Sequence, residues 1–174
     1  MIKPIKSKKF TLRPFRISDV GSIRKHANDK TVSRNLSSLP HPYTEKDARF
    51  WIGKQIELQR QKNPENIVFA IEIGNQVAGT IGLHKIKCGH KAELGFWLGR
   101  EFWGGGIMTD AVKDVVNFGF KNLKLRRIYA GVFLSNKGSA RVLEKNGFKL
   151  EGISKKEVKK DNKFIDAYIF AKVR

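Results

Sequence analysis

The sequence predicts a mixed α/β fold, a central sheet with helices packed on its faces. Three observations carry that expectation. Hydrophobic periodicity alternates between β-like runs such as 67–73 and a helical stripe such as Ala111, Val112, Val115, Val116, Gly119 and Phe120. Turn chemistry at Gly74-Asn75-Gln76 joins two β-like runs directly, as in a hairpin. Elsewhere helices intervene, so the order β–α–α–β–β–β–α–β–α–β–β mixes hairpins with crossovers. Such an order needs a mixed sheet.

The elements follow in order. Alternation in Lys9-Phe10-Thr11-Leu12-Arg13-Pro14-Phe15 reads as an opening strand. Ser18-Asp19 looks like a helix start, with Ile23 and Ala27 at helical spacing through about Asn28. Residues 37–43 hold Pro40 and Pro42 and are expected to be irregular, because proline removes a donor and restricts the residue before it. Thr44-Glu45-Lys46-Asp47 is a near capping box opening a helix whose apolar stripe is Ala48, Trp51, Ile52 and Ile56. Strands are expected at 67–73, 77–86 and 92–98, then a helix after Gly104-Gly105-Gly106. A strand at 126–133 leads to a short helix over 136–145, stopped by Asn146-Gly147. Two strands, near 148–156 and 164–172, flank the turn Lys160-Asp161-Asn162.

Composition narrows the function. The 174 residues suit one domain spanning 1–174, and the five prolines never gather into a linker. With 40% hydrophobic residues the chain can bury a core. The 35 Lys and Arg outnumber 16 Asp and Glu, a net charge of +19 that forecasts anionic partners. One cysteine, Cys88, excludes an internal disulfide framework and a multi-thiolate zinc site. No apolar run approaches the ~20 residues that span a bilayer, and the basic start MIKPIKSKKF lacks the apolar region of a secretory signal. The expectation is a cytoplasmic protein with no membrane association.

The sharpest feature lies in 93–111, where Trp103-Gly104-Gly105-Gly106-Ile107-Met108 links a strand to an amphipathic helix. Without side chains, such N–H groups can converge on a phosphate at a helix N-terminus. The same glycines could equally serve only to turn the chain. No Lys-Ser/Thr follows as in a Walker loop, and no GxGxxG pattern occurs. The second feature, Asn136-Lys137-Gly138-Ser139-Ala140-Arg141, follows a strand and opens a helix with a polar residue. Alone it reads as an asparagine cap.

These two blocks, with Phe10-Thr11-Leu12-Arg13-Pro14-Phe15, together resemble the GNAT superfamily of acetyl-CoA-dependent N-acetyltransferases. Within it they are similar to the RimJ/RimL-like branch that acetylates protein N-termini. Pro42-Tyr43-Thr44, Asp47-Ala48, Asp166 and Tyr168 also suit this branch, and the likeness runs essentially end to end. It implies the GNAT fold, a mostly antiparallel twisted sheet of about seven strands with helices on both faces. It implies acetyl-CoA as co-substrate and no metal.

The resemblance also implies roles. Main-chain amides from Trp103 through Gly104, Gly105, Gly106 and Ile107 to Met108 would bind the CoA diphosphate. Only Gly106 keeps the residue type of the superfamily pattern Arg/Gln-x-x-Gly-x-Gly/Ala. Phe96, Trp97 and Leu98 would offer main-chain groups to pantetheine where two strands splay, and Asn136 would contact the cofactor arm. Many relatives protonate the leaving thiolate with a tyrosine; that position is Leu143 here, and Ser139 is the candidate instead, its alternative role being to help cap the helix. Glu93 is the candidate base, directly or through water, against the plainer reading of an ion-paired strand glutamate.

Acceptors consistent with this are the N-terminal α-amine of a protein, ribosomal proteins above all, or else a small amine, an antibiotic or an aminoacyl-tRNA. A different class would be a basic RNA-binding module on the same fold without catalysis. The lysine clusters raise docking on ribosomal or transfer RNA, against simple solvation of exposed faces. Either a monomer or a homodimer is compatible. His26, His41, His84 and His90 lack metal-ligand spacing, and Trp51, Trp97 and Trp103 read as core or pocket walls.

Overall fold

In the computed structural model, residues 3–62 and 64–174 are described; Met1 and Ile2 of the basic start lie outside the described residues. The chain opens with β1 (Ile5–Lys6) and β2 (Thr11–Arg13). The second is shorter than the 9–15 alternation suggests, because Pro14 cannot donate to a ladder. A 3-10 turn at Ile17–Asp19 leads into α1 (Val20–Ala27), and Asp19 does not cap it: its carboxylate accepts from the Arg16 N–H and from Arg13.

A short α2 (Lys30–Ser33) follows that periodicity does not anticipate. Asp29 Oδ1 caps it, accepting from the N–H groups of Thr31 at 2.6 Å and Val32 at 3.3 Å. After the proline-containing segment, α3 (Glu45–Leu58) starts with the expected capping box. Thr44 Oγ1 accepts from the Asp47 N–H at 3.2 Å, and Asp47 Oδ2 accepts from the Thr44 N–H at 2.8 Å.

β3 (Ile67–Ile73) and β4 (Gln76–Lys87) form the anticipated hairpin. Gly74 and Asn75 have φ of +54° and +63°, the left-handed pair that matches strand twist in a two-residue turn. Then come β5 (Lys91–Leu98), a 3-10 turn at Arg100–Phe102, α4 (Ile107–Asn122) and β6 (Arg127–Phe133). The chain ends with α5 (Lys137–Lys145), β7 (Lys149–Lys160) and β8 (Lys163–Val173).

The eight strands among the described residues lie in the order β1-β2-β3-β4-β5-β6-β8-β7. Every neighbouring pair is antiparallel except β5 and β6, which α4 joins by a crossover. The sheet is therefore mixed and mostly antiparallel, as expected. The strand beyond the anticipated seven is β1, two residues long and invisible to any period.

Strand alternation divides the apolar residues between two cores. Ile67, Phe69 and Ile71 join Ile81, Leu83, Leu94 and Ile128 under the α4 stripe of Ala111, Val112, Val115 and Val116. Val68, Ala70 and Val77 turn the other way, beneath Val20 and Ile23 of α1 and Ala48 and Ile52 of α3. Each large side chain buried this way contributes roughly 1.5–3 kcal/mol. Among the described residues no helix is long and apolar enough to cross a membrane.

Candidate active site

β5 and β6 separate soon after they meet. Their parallel register holds only for Lys91 with Arg127, Ala92 with Ile128, and Glu93 with Tyr129. β5 nevertheless runs on to Leu98 and β6 to Phe133. Beyond Glu93 the facing edges have no mutual ladder, so main-chain groups of 94–98 border an opening in the middle of the sheet. Backbone polar groups need partners, and a guest laid along this edge could supply them.

A cavity of about 490 Å³ lies against the end of β5. Phe96, Trp97 and Leu98 form one wall. Trp103, Gly104, Gly106, Ile107 and Met108 form its end, and Asn136 and Ser139 line it from α5. The structure thus brings together ten of the residues singled out in the sequence. The Leu98 carbonyl already accepts from Trp103 Nε1 at 2.8 Å, which fixes the indole at the rim.

The glycine turn has the conformation that glycine alone adopts easily. Gly104 and Gly106 have φ of +82° and +75°, and Gly106 stands at the N-cap of α4 with no side chain capping the helix. The first-turn N–H groups of α4 are therefore left for a guest, with the positive end of the helix behind them. Gly105 is not part of the cavity wall. Its carbonyl accepts from Lys9 Nζ at 3.0 Å, and Lys9 also pairs with Asp110 at 3.5 Å, stapling the turn to the N-terminal stretch.

Asn136 does cap α5, its Oδ1 accepting from the Ser139 N–H at 3.1 Å. Only its Nδ2 donors remain for another partner. Among the described residues, four cations line the cavity, Arg34, Lys137, Arg141 and Lys145, and no carboxylate does. Three of them stand one turn apart on α5, a basic stripe that could have been read from their i, i+4, i+8 spacing.

A further part of the wall is one that sequence reasoning missed. Val32, Arg34, Asn35 and Leu36, from α2 and the segment after it, close the cavity there. Lys160, near the tip of the β7–β8 hairpin, donates from Nζ to the carbonyls of Ser33 at 2.5 Å and Leu36 at 2.6 Å. Burial pushes the Lys160 ammonium pKa down from its ordinary value. No local signal links residues so far apart in the chain.

Glu93 stands at the vertex, where the two strands part, and does not line the cavity. It is half-buried and pairs with Lys85 Nζ at 2.7 Å. Tyr129 is its neighbour across the β5–β6 pair, and burial, then the Glu93 charge, push the phenol pKa up. Cys88 is exposed, and among the described residues no cluster of three His, Cys, Asp or Glu could hold a metal ion.

An open seam between parallel strands that leads to an uncapped helix N-terminus is a site for an extended, phosphate-bearing ligand. The acetyltransferase (GNAT) domain family matches residues 9–149. The chain belongs to the GNAT acetyltransferase family. It is 34% identical to "Probable N-acetyltransferase YjcK" of Bacillus subtilis (strain 168), an alignment covering 96% of this chain and 95% of that protein. It is 26% identical over 147 residues to the ribosomal-protein-serine acetyltransferase of Escherichia coli (strain K12), covering 84% and 81% of the two chains. Among solved structures, the RimL ribosomal L7/L12 alpha-N-protein acetyltransferase in complex with coenzyme A superposes with a TM-score of 0.87 at 22% identity, covering 98% of each chain, a likeness of fold.

This GNAT protein is accordingly an N-acetyltransferase that uses acetyl-CoA. Its cavity suits that co-substrate on physical grounds. The uncapped α4 amides and the four cations complement a chain of phosphates, and the absence of carboxylates from the wall avoids repelling them.

Proposed function

We propose that this enzyme transfers acetyl from acetyl-CoA to the N-terminal α-amine of a protein, ribosomal proteins included, by direct attack in a ternary complex. The observation that carries this reading is the single cavity shared by two unlike walls. One wall, the glycine turn and α5, suits the cofactor; the other, residues 32–36, leaves the acyl end facing a separate approach. The likeness to a ribosomal-protein-serine acetyltransferase supports the acceptor class.

In this reading the amides of 103–108 take the diphosphate, and the main chain of Phe96, Trp97 and Leu98 takes the pantetheine arm, with Asn136 Nδ2 donating to it. The acceptor nitrogen attacks the thioester carbon, forming C–N as C–S breaks. A free α-amine has a pKa near ~8, so a proton must leave before or during attack. Glu93 draws it away, directly or through water, and the Ser139 hydroxyl donates to the departing sulfur. An N–H of β5 in the seam stabilises the oxyanion, a contribution of ~3–4 kcal/mol for one good donor.

The charged residues of the lining are all cations, which disfavours polycationic acceptors such as polyamines. Exposed lysines on the β7–β8 hairpin, among them Lys155, Lys156, Lys159 and Lys163, form a surface suited to docking on ribosomal RNA. Thiol release from acetyl-CoA tests the acceptor class, using Ala-, Ser- and Met-initiated peptides beside small amines. Turnover with peptides is expected. Cofactor binding with no peptide acetylated would remove the protein N-terminus as acceptor. Association with ribosomal RNA, if it accompanies this activity, is expected to weaken steeply as salt rises.

A further inference from the structure

His84 on β4 is a titratable group to which the cavity walls assign no role. The β4–β5 ladder sets it directly opposite Glu93, so the two side chains stand on the same face of the sheet. Gly95 and Trp97 alternate onto that face too, and Trp97 lines the cavity. A Cβ on Gly95 would lie 3.2 Å from His84 Nε2 and 3.3 Å from Cδ2. The imidazole therefore reaches across β5 at Gly95. That is two residues past the last rung shared with β6, and just before the wall of Phe96, Trp97 and Leu98.

The tautomer follows from its other neighbour. His84 Nδ1 is 3.2 Å from Asn66 Oδ1, and the Lys85 N–H also points at that atom at 3.4 Å. A backbone N–H can only donate, so the shared atom is the amide oxygen. His84 Nδ1 therefore carries the hydrogen, and Nε2 presents a lone pair over a strand residue with no side chain. Three groups bear on it: Glu93 from β5, Lys85 from β4, and Tyr129 from β6 beside Glu93. Burial pushes the imidazole pKa below its ordinary value, outweighing the Glu93 charge, so the ring is neutral at pH 7.

We propose that His84 Nε2 is the first acceptor of the proton released by the attacking amine, with Glu93 supplying the countercharge. This rests on the seam between β5 and β6 holding the acyl end of acetyl-CoA. As the nitrogen lone pair forms the amide bond and the C–S bond breaks, the nitrogen's proton passes to Nε2. The resulting imidazolium lies beside the Glu93 carboxylate. The imidazolium then gives the proton up to Glu93 and solvent, while the Ser139 hydroxyl donates to the CoA thiolate and regains its proton from water, so amine and thioester become amide and thiol. Gly95 has a purpose in this arrangement, since any side chain there would displace the ring.

The test compares wild type with His84→Gln and His84→Ala in the thiol-release assay, using an acceptor that wild type acetylates, while calorimetry follows acetyl-CoA binding. General bases commonly contribute 10²–10⁴-fold, so kcat for His84→Gln is expected to fall about 10²–10³-fold. Acetyl-CoA affinity should stay near that of wild type, which also reports an intact fold. The imidazole inflection should disappear from the acidic side of the kcat profile, leaving the ionisation of the acceptor amine in kcat/KM, and added imidazole should restore part of the His84→Ala rate. Wild-type turnover in His84→Gln overturns the proposal, as does a loss of rate with an unchanged pH profile and no rescue. Wild-type inactivity toward every amine would overturn the acceptor assignment as well.

Discussion

Arg13 and Asp19 meet fork to fork, with Nη1 2.9 Å from Oδ2 and Nη2 2.8 Å from Oδ1, and their side chains are only 5% and 6% exposed. Arg13 Nε also donates to Glu72 Oε1 at 2.7 Å. One guanidinium thus ties β2 to β3 and to the start of α1, and both carboxylates raise its pKa against the cost of burial. Removing one partner of such a pair strands the other without water, which costs ~3–5 kcal/mol. Asp19→Asn is therefore expected to lower stability by that order, or roughly 10 °C in melting temperature for a domain of this size. Thermal unfolding checks it. Replacing Arg13 and Asp19 together by Met and Leu should recover part of the loss, because only Glu72, which still reaches solvent, then lacks its partner.

Lys160 acts at longer range. Its ammonium bridges the carbonyls of Ser33 and Leu36, the two sides of the segment that places Arg34 and Asn35 on the cavity wall. Lys160→Met removes both bonds while keeping the length of the side chain. If residues 32–36 border the acceptor as proposed, the expected result is a rise of about tenfold in acceptor KM with acetyl-CoA affinity little changed, since the glycine turn and α5 are untouched. Steady-state kinetics with each substrate varied separately distinguishes the two. A loss shared equally by both substrates would place the segment on the cofactor side.

The fold and the glycine-turn side of the cavity were legible because their signals are local. Gly74-Asn75 demands left-handed φ, Thr44 and Asp47 cap one another, and Gly104 and Gly106 turn the chain into α4 within a few residues. The wall formed by Val32, Arg34, Asn35 and Leu36 was not. α2 is too short for any period to appear, and its neighbours along the cavity wall are held by a lysine from the last hairpin. His84 looked bland because its position over Gly95 depends on the register between β4 and β5, which no single segment encodes. Glu93 was picked out for its residue type, and its ion pair depends on Lys85, which stands at φ +50° just beyond the regular part of the ladder.

Gly106 and Gly105 differ in what they demand. Gly106 has φ +75°, whereas Gly105 shows no left-handed φ, and a Cβ there would meet only Ile107 Cδ1 at 3.9 Å. Gly106→Ala would put a Cβ 3.5 Å from Lys9 Nζ, an ordinary contact, so its cost is in the backbone, about 1–2 kcal/mol. If the turn relaxes to escape that strain, the α4 amides lose their aim. Acetyl-CoA affinity is then expected to fall about tenfold in Gly106→Ala and to stay unchanged in Gly105→Ala. Calorimetry on the two variants measures the difference.

Asn136 serves two ends of one amide group, and they can be separated. Its Oδ1 caps α5 by accepting from the Ser139 N–H, while its Nδ2 is free to donate toward the cavity. Asn136→Asp keeps an oxygen at the cap, where aspartate ranks with asparagine, and replaces the donor by a charged acceptor. Asn136→Ala removes both and should cost ~1 kcal/mol of stability through the cap alone. If Nδ2 holds the cofactor arm, Asn136→Asp melts like wild type yet binds acetyl-CoA more weakly, because a carboxylate now stands in a wall that otherwise holds none. If the residue is only a cap, Asn136→Asp keeps full affinity, and only Asn136→Ala shows any change. Melting curves and binding isotherms on the same preparations decide between them.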